Sequence, residues 1–222
     1  MLKYYQSKGV RNMKKSTKVN LSFLLFGYLV YIWSYINHID TFGWFTLSTP
    51  VVLISIFFIV TYKKFTFTSY VYFWGLVWAI ILLIGAKYTY TYNPLFEYLR
   101  DVFNFSRNHY DRLGHFAQGF IPALLIREYL YRKKVLKPSK VSILIITGIV
   151  LAFSAFYELL EFAATVLSNR PQSYILDLQG DMWDTQYDML FALIGAYVSL
   201  VFCWKPHNRA MLKLEQEKNK SQ

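Results

Sequence analysis

Six long apolar stretches dominate the pattern of hydrophobic and polar positions, at roughly residues 20–36, 45–62, 66–86, 113–131, 141–163 and 187–204. Most approach the ~20 residues that an α-helix needs to cross the hydrocarbon core of a bilayer. The segments between them are polar and hold most of the charge. The pattern predicts an all-α fold, a polytopic transmembrane helical bundle of about six spans. The first and fourth stretches are the weakest. The fourth is interrupted by Gln118 and Pro122, although a proline is tolerated in a membrane helix packed by neighbours. Residues 1–19 read as a basic N-terminal segment, 20–204 as the transmembrane domain, and 205–222 as a polar tail that frays or forms a short surface helix. A basic segment before an apolar stretch also opens a signal peptide. The YINHIDTFGW that follows has no small-x-small cleavage pattern, so an uncleaved anchor is expected.

Composition agrees: 55% of the residues are hydrophobic and the mean hydropathy is +0.26, too apolar for an ordinary soluble domain. A single cysteine, Cys203, excludes an internal disulfide framework. The net charge of +11 would suggest nucleic acid in a soluble chain. Here the placement of the charges argues otherwise. Counting Arg127, 19 of the 24 Lys and Arg fall at the two ends and in the loops near residues 63–64 and 132–140. The other side holds Lys87, Arg100, Arg107, Arg112 and Arg170. The positive-inside rule then predicts both termini in the cytoplasm. The acids do the reverse, with Glu128, Glu215 and Glu217 alone on the inner side. The basic excess therefore reflects topology and anionic inner-leaflet lipid, and no nucleic-acid partner is expected. The Trp, Tyr and Phe richness reads as interfacial belts and helix packing. The Lys-, Ile- and Tyr-rich usage resembles that of an AT-rich bacterium, and the apolar pattern puts the expected location in a cell membrane.

Polar residues converge at the predicted outer ends of stretches four, five and six. In GDMWDTQYDM and just before it, Asp177, Asp181, Asp184 and Asp188 step by four, three and four residues, which predicts one helical face. In SRNHYDRLGHFAQGF, Asp111 and His115 are one turn apart, with Asn108, His109 and Arg112 close by. In FSAFYELLEF, Glu158 and Glu161 share a face, and Glu158 is the deepest of the acids. The topology brings all three segments to one depth on one side. A charge within the bilayer costs roughly 2.5 to 3.5 kcal/mol at its centre and less toward the interface, so such residues mark function by default. Blander readings stand beside this one. Asp177, Asp181 and Glu97 suit solvated helix ends. His38 and His207 read as plain loop residues. Asp111 with Arg112, or the two glutamates with Arg107 or Arg112, suit structural ion pairs.

NHYDRLGHFAQGF, FSAFYELLEF and GDMWDTQYDMLFALIGA resemble the signature blocks of the YjdF family, bacterial inner-membrane proteins of unassigned function. The resemblance covers roughly residues 70–204. A wider resemblance is to VanZ-like membrane proteins, linked to glycopeptide antibiotic resistance. Asp111, Arg112, His115 and Phe116 fit their first block. Glu158 and Glu161 approximate the second, with Glu161 where Gln is usual. Asp188, Gly195 and Ala196 fit the third, with Ala192 where Asn is expected. The resemblance implies a related helical bundle and a shared polar pocket, not a shared substrate.

Carboxylates with one imidazole suit a divalent ion such as Mg²⁺, Mn²⁺ or Zn²⁺. The expectation is metal-assisted hydrolysis or transfer in the outer leaflet, on a lipid or lipid-linked envelope precursor. Asp111, Glu158, Asp184 and Asp188 are the candidate ligands. His115 is a ligand or general base, Glu158 its catalytic companion and Arg112 a phosphate contact. Glu161 belongs to the same metal site and orients a ligand from behind. No HExxH, CxxC or Gly-rich phosphate loop is present. A proton- or cation-coupled transporter and a non-catalytic binding or scaffold protein are the alternatives.

Overall fold

A computed structural model describes residues 15–168 and 179–219. Among these residues there are eight α-helices and no strand. They are α1 (Lys15–Tyr35), α2 (Thr41–Thr61), α3 (Ser69–Tyr88), α4 (Pro94–Phe103), α5 (Tyr110–Arg132), α6 (Lys140–Ser168), α7 (Asp184–Phe202) and α8 (Trp204–Asn219). The expected all-helical bundle is present. Of the helices, α2, α3, α6 and α7 are long and apolar enough to cross a membrane. Helices α1 and α5 fall on the two weakest apolar stretches. Their 21 and 23 residues reach far enough, and polar residues lower their hydropathy.

Local chemistry sets the helix starts. Asp40 caps α2 by accepting from the Gly43 N–H. Thr68 caps α3, accepting from the Val71 N–H at 3.3 Å. Asn93 caps α4 at 3.3 Å, and Pro94 opens that helix with the φ already fixed. Helix α3 packs on α1, α2 and α5, and α5 packs on α3, α6 and α7. One apolar core joins the two halves through Trp78, Leu82, Leu83, Phe120, Ile121 and Leu124. A second lies between α5, α6 and α7, around Ala123, Ile146, Val150, Ala196 and Leu200. The perimeter is apolar as well: Leu53, Val60, Leu144 and Phe202 are exposed, as a lipid-facing surface requires.

The closest pair is α5 with α7, whose backbones touch. A Cβ on Gly119 would stand 1.7 Å from the Ala192 carbonyl oxygen, and one on Gly195 would stand 2.0 Å from that of Phe116. Small residues in membrane helices permit this approach. At this crossing the two helices run side by side, and their polar first turns meet.

A different polar cluster closes the opposite end of the bundle. Glu128 is fully buried. It accepts from the Thr68 N–H at 2.8 Å, from the Thr68 hydroxyl at 2.6 Å, and from Arg132. His207 Nε2 lies 3.0 Å from the same carboxylate. Arg127, also fully buried, donates to His207 Nδ1 at 2.8 Å and to Asn208, and stacks on Trp204 at 4.3 Å. His207 is therefore not the loop residue that the sequence suggested. It sits on α8 and is fully buried. The tail is a helix locked onto α5, because buried Glu128 and Arg127 both require partners. Arg127 occupies Nδ1 as a donor, so His207 is neutral and gives its Nε2–H to Glu128.

Two outcomes follow. Gly119→Ala pushes α5 and α7 apart and costs about 1–3 kcal/mol. Gly148→Ala, with nothing within 4 Å of the added methyl, serves as the neutral control; thermal unfolding in detergent separates the two. Burial lowers the pKa of His207 below the ordinary imidazole value. Glu128 opposes the shift, while Arg127 and Arg132 add to it. The stabilisation from neutral His207 is thus full above the unfolded pKa of about 6.5 and is lost as pH falls below it. The margin in apparent Tm between the native chain and His207→Ala narrows from about pH 7.5 to about pH 5.5; a margin that widens on acidification contradicts the neutral assignment.

Candidate functional site

Three elements bring polar side chains to the end of the bundle where α5 and α7 begin. Each is polar at that end and apolar further in, so its first or last turns gather around one volume. Helix α6 has 29 residues, about 44 Å at 1.5 Å per residue. That exceeds a hydrocarbon core of about 30 Å. The helix is therefore longer than the core is thick, and Glu158 lies about three turns from its end.

Asp111, Arg112 and His115 come from the first turns of α5, Asp184 and Asp188 from α7, and Glu158 from α6. All six are buried. His115 Nε2 faces two carboxylates, Asp111 Oδ1 at 3.4 Å and Asp188 Oδ1 at 3.6 Å. Its Nδ1 faces Glu158 Oε1 at 3.8 Å, and neither of those two atoms has a hydrogen-bond partner. One ligand atom from each of Asp111, His115 and Asp188 lies within 4.8 Å of the others. A divalent ion bound to nitrogen and oxygen at about 2.0–2.2 Å fits that separation. Asp111 and His115 do share a face, one turn apart, as the sequence predicted.

Arg107 and Arg112 neutralise much of this charge. Arg112 donates from Nη1 to Asp188, and from Nη2 to Asp184 at 2.7 Å and Asp181 at 3.1 Å. It also meets Asp111 at 3.4 Å and lies over the Tyr187 ring at 5.2 Å. Arg107, just before α5, pairs with Asp184, with Asp181 at 3.4 Å and with Asp111 at 3.6 Å. Asn108 fixes that segment: its N–H donates to the Gln179 side chain at 2.9 Å, and the Gln179 amide returns a bond at 3.2 Å. His109 caps α5 without a side-chain bond. Burial lowers its pKa, and the Arg107 and Arg112 guanidiniums lower it further.

Several expectations change here. The aspartates do not form a ladder on one helix. Asp184 and Asp188 lie on α7, Asp181 precedes it in a turn, and Asp177 lies outside the described residues. Gly180, at φ +83°, turns the chain there, so the helix begins only at Asp184. Asp181 still reaches both arginines, from the turn. The arginines pair with Asp111, Asp181 and the aspartates of α7, so the expected Asp111–Arg112 pair is present, while the described contacts hold no pair with Glu158 or Glu161. Asp184 is held by both guanidiniums and stands apart from the group of three. Glu158 faces the far nitrogen of His115, and Glu161, half-buried, lies one turn beyond it. Arg107 was visible only as a candidate partner for the glutamates; no spacing rule ties a loop arginine to a carboxylate 77 residues away.

The comparisons with known proteins agree with this architecture. A model of predicted membrane proteins, DUF2238, matches residues 19–209. The chain belongs to the DUF2238 family. It is 36% identical over 183 residues to the inner membrane protein YjdF of Escherichia coli (strain K12), covering 82% of this chain and 88% of that protein. No solved structure matches. The matched region of this DUF2238 chain spans α5, α6 and α7, and with them every residue of the charge cluster.

Removing one partner of a buried ion pair leaves the other charge uncompensated, at about 3–5 kcal/mol. Arg112→Gln therefore lowers unfolding stability by that order. Adding Asp188→Asn restores part of the loss, because the orphaned carboxylate is gone. Strictly additive losses in a double-mutant cycle show that the pair is not coupled.

Proposed function

We propose that this is a six-span membrane protein with both termini in the cytoplasm. In this reading its buried Asp/His/Glu cluster, open to the extracytoplasmic side, holds a divalent ion. The ion serves hydrolysis or transfer on a lipid or lipid-linked envelope precursor. Six helices, α1, α2, α3, α5, α6 and α7, coincide with the six apolar stretches, and the lysines and arginines gather at the α8 end, which supports the topology. The observation that carries the chemistry is the convergence of Asp111, His115 and Asp188 on one buried volume. His115 is bracketed, with two carboxylates at Nε2 and the unpartnered Glu158 oxygen at Nδ1. A carboxylate on the far side of a metal-ligating imidazole orients it once the two close from 3.8 Å to hydrogen-bond distance. Glu158 is thus better read as the group that orients His115 than as a ligand, with Glu161 behind it. A bound ion supplies Lewis acidity and an activated water. Arg107 and Arg112 border the group and suit a phosphate, with the exposed edge of Asp181 as the contact to be displaced. The motif resemblance to VanZ-like proteins is in keeping with this site and rests on the same residues.

Proton- or cation-coupled transport is the second reading, and one observation favours it. Helix α5 carries buried charge at both ends, Asp111 to His115 at one and Arg127 with Glu128 at the other, with buried Gln118 between. Acid and imidazole groups placed along a membrane helix suit proton relays.

Metal content by mass spectrometry, measured beside release of the headgroup from phosphorylated lipids, tests the first reading. A stoichiometric ion is expected, lost in Asp111→Asn and Asp188→Asn. Glu158→Gln is expected to keep the ion with roughly 10- to 100-fold weaker affinity. Protein that takes up no metal after gentle purification with metal supplied, yet dissipates a pH gradient in proteoliposomes, moves the assignment to transport.

A further inference from the structure

We propose that α4 is an interfacial helix that lies in the outer leaflet, with its apolar face against lipid acyl chains. This stands on a separate observation from the chemistry proposed above and rests on that reading only for which leaflet is meant. Leu95, Tyr98, Leu99, Val102, Phe96 and Phe103 cover one arc of α4, and Glu97, Arg100 and Asp101 the other. The bundle takes up only one edge of the apolar arc, where Phe96 meets Tyr110 with ring centroids 5.2 Å apart. No residue of α4 is buried. Leu95 is 63% exposed, Tyr98 66%, Val102 52% and Phe103 60%, and exposed Tyr92 and Phe105 flank the helix.

A helix of ten residues is too short to hold itself together in water. An apolar face left in contact with water adds to that difficulty. Lipid resolves both. Helix α4 joins the end of α3 to the start of α5, so it sits at the rim of the bundle and continues the perimeter that exposes Leu159 and Phe162. Apolar residues and tyrosines at that level suit the boundary between headgroups and acyl chains. The polar arc settles what kind of lipid is needed. Arg100 is already paired, with Glu97 at 2.8 Å and Asp101 at 3.0 Å, which leaves α4 without basic excess. Anionic headgroups are therefore not what holds it, and a zwitterionic bilayer suffices.

The helix is also tied to the charge cluster. The Asn108 side chain donates to Glu97 at 3.0 Å and to the Asn93 carbonyl at 3.2 Å, next to Arg107, which pairs with Asp184. The depth of α4 in the leaflet thus fixes the depth of Arg107 and places the guanidiniums at headgroup level.

Nitroxide labels placed singly at positions 95, 98, 101 and 102, in a Cys203→Ser background, read the depth in phosphatidylcholine liposomes. None of these positions belongs to the charge cluster. Oxygen is expected to relax the labels at 95, 98 and 102 more than a water-soluble nickel chelate does, and the label at 101 to show the reverse. Adding anionic lipid is expected to leave that order unchanged. Chelate access to all four positions places α4 in water and overturns the proposal. Shielding of 95 and 98 from both reagents, with dipolar broadening between labels, assigns the face to a second copy of the chain. A depth that changes only with anionic lipid overturns the claim that apolar contact holds the helix.

Discussion

Backbone contact between α5 and α7 is the constraint on which the rest depends. At Gly119 and Gly195 each helix lies against a carbonyl of the other, where no side chain fits. Helices this close cannot keep their polar first turns apart. Asp111, Arg112 and His115 on one are driven against Asp184 and Asp188 on the other. The alternation of signs, guanidinium and imidazole against carboxylate, is then what allows these turns to be buried at all. The apolar contact supplies the proximity and the charge pattern makes it tolerable. Neither explains the site without the other.

The fold was legible because hydrophobic length is a strong signal in a membrane chain. All six apolar stretches became helices within a few residues of their expected ends, and the two weakest are the two whose hydropathy falls short. Helix α5 is weak because it buries six polar or charged side chains, Asp111, Arg112, His115, Gln118, Arg127 and Glu128. The site was partly legible for the same reason. One-turn spacing placed Asp111 with His115 and Asp184 with Asp188. What spacing could not show was where a helix starts. The turn at Gly180 breaks the aspartate register, so Asp181 joins the cluster from a loop. Nor could periodicity pair Arg107 with Asp184, or His207 with Glu128, since both are tertiary contacts across most of the fold.

The two ends of α5 differ in how completely their polar atoms are used. Around Glu128 both carboxylate oxygens are taken by Thr68, Arg132 and His207. Around His115 the Nδ1, the facing Glu158 oxygen, the Gln118 amide nitrogen and the Ser154 hydroxyl have no hydrogen-bond partner. Buried polar atoms are rarely left so, and when they are, a ligand, a water or a working proton is the usual reason. At the Glu128 end Arg127 Nε is left without a partner, against these four atoms at the His115 end. Membership of the DUF2238 family covers both without distinguishing them.

The Glu128 cluster has a consequence for the order in which the protein is made. Glu128 and His207 are 79 residues apart in sequence. A ribosome delivers the fourth long helix well before the residues that complete its C-terminal end. Until α8 emerges, Glu128 has only Thr68 and Arg132 as hydrogen-bond partners, and Arg127 lies over the Tyr131 ring at 5.1 Å. The bundle therefore closes last from its C-terminal side. A chain that stops before His207 leaves Glu128 and Arg127 each short of a partner at the seam beside α3 and α5.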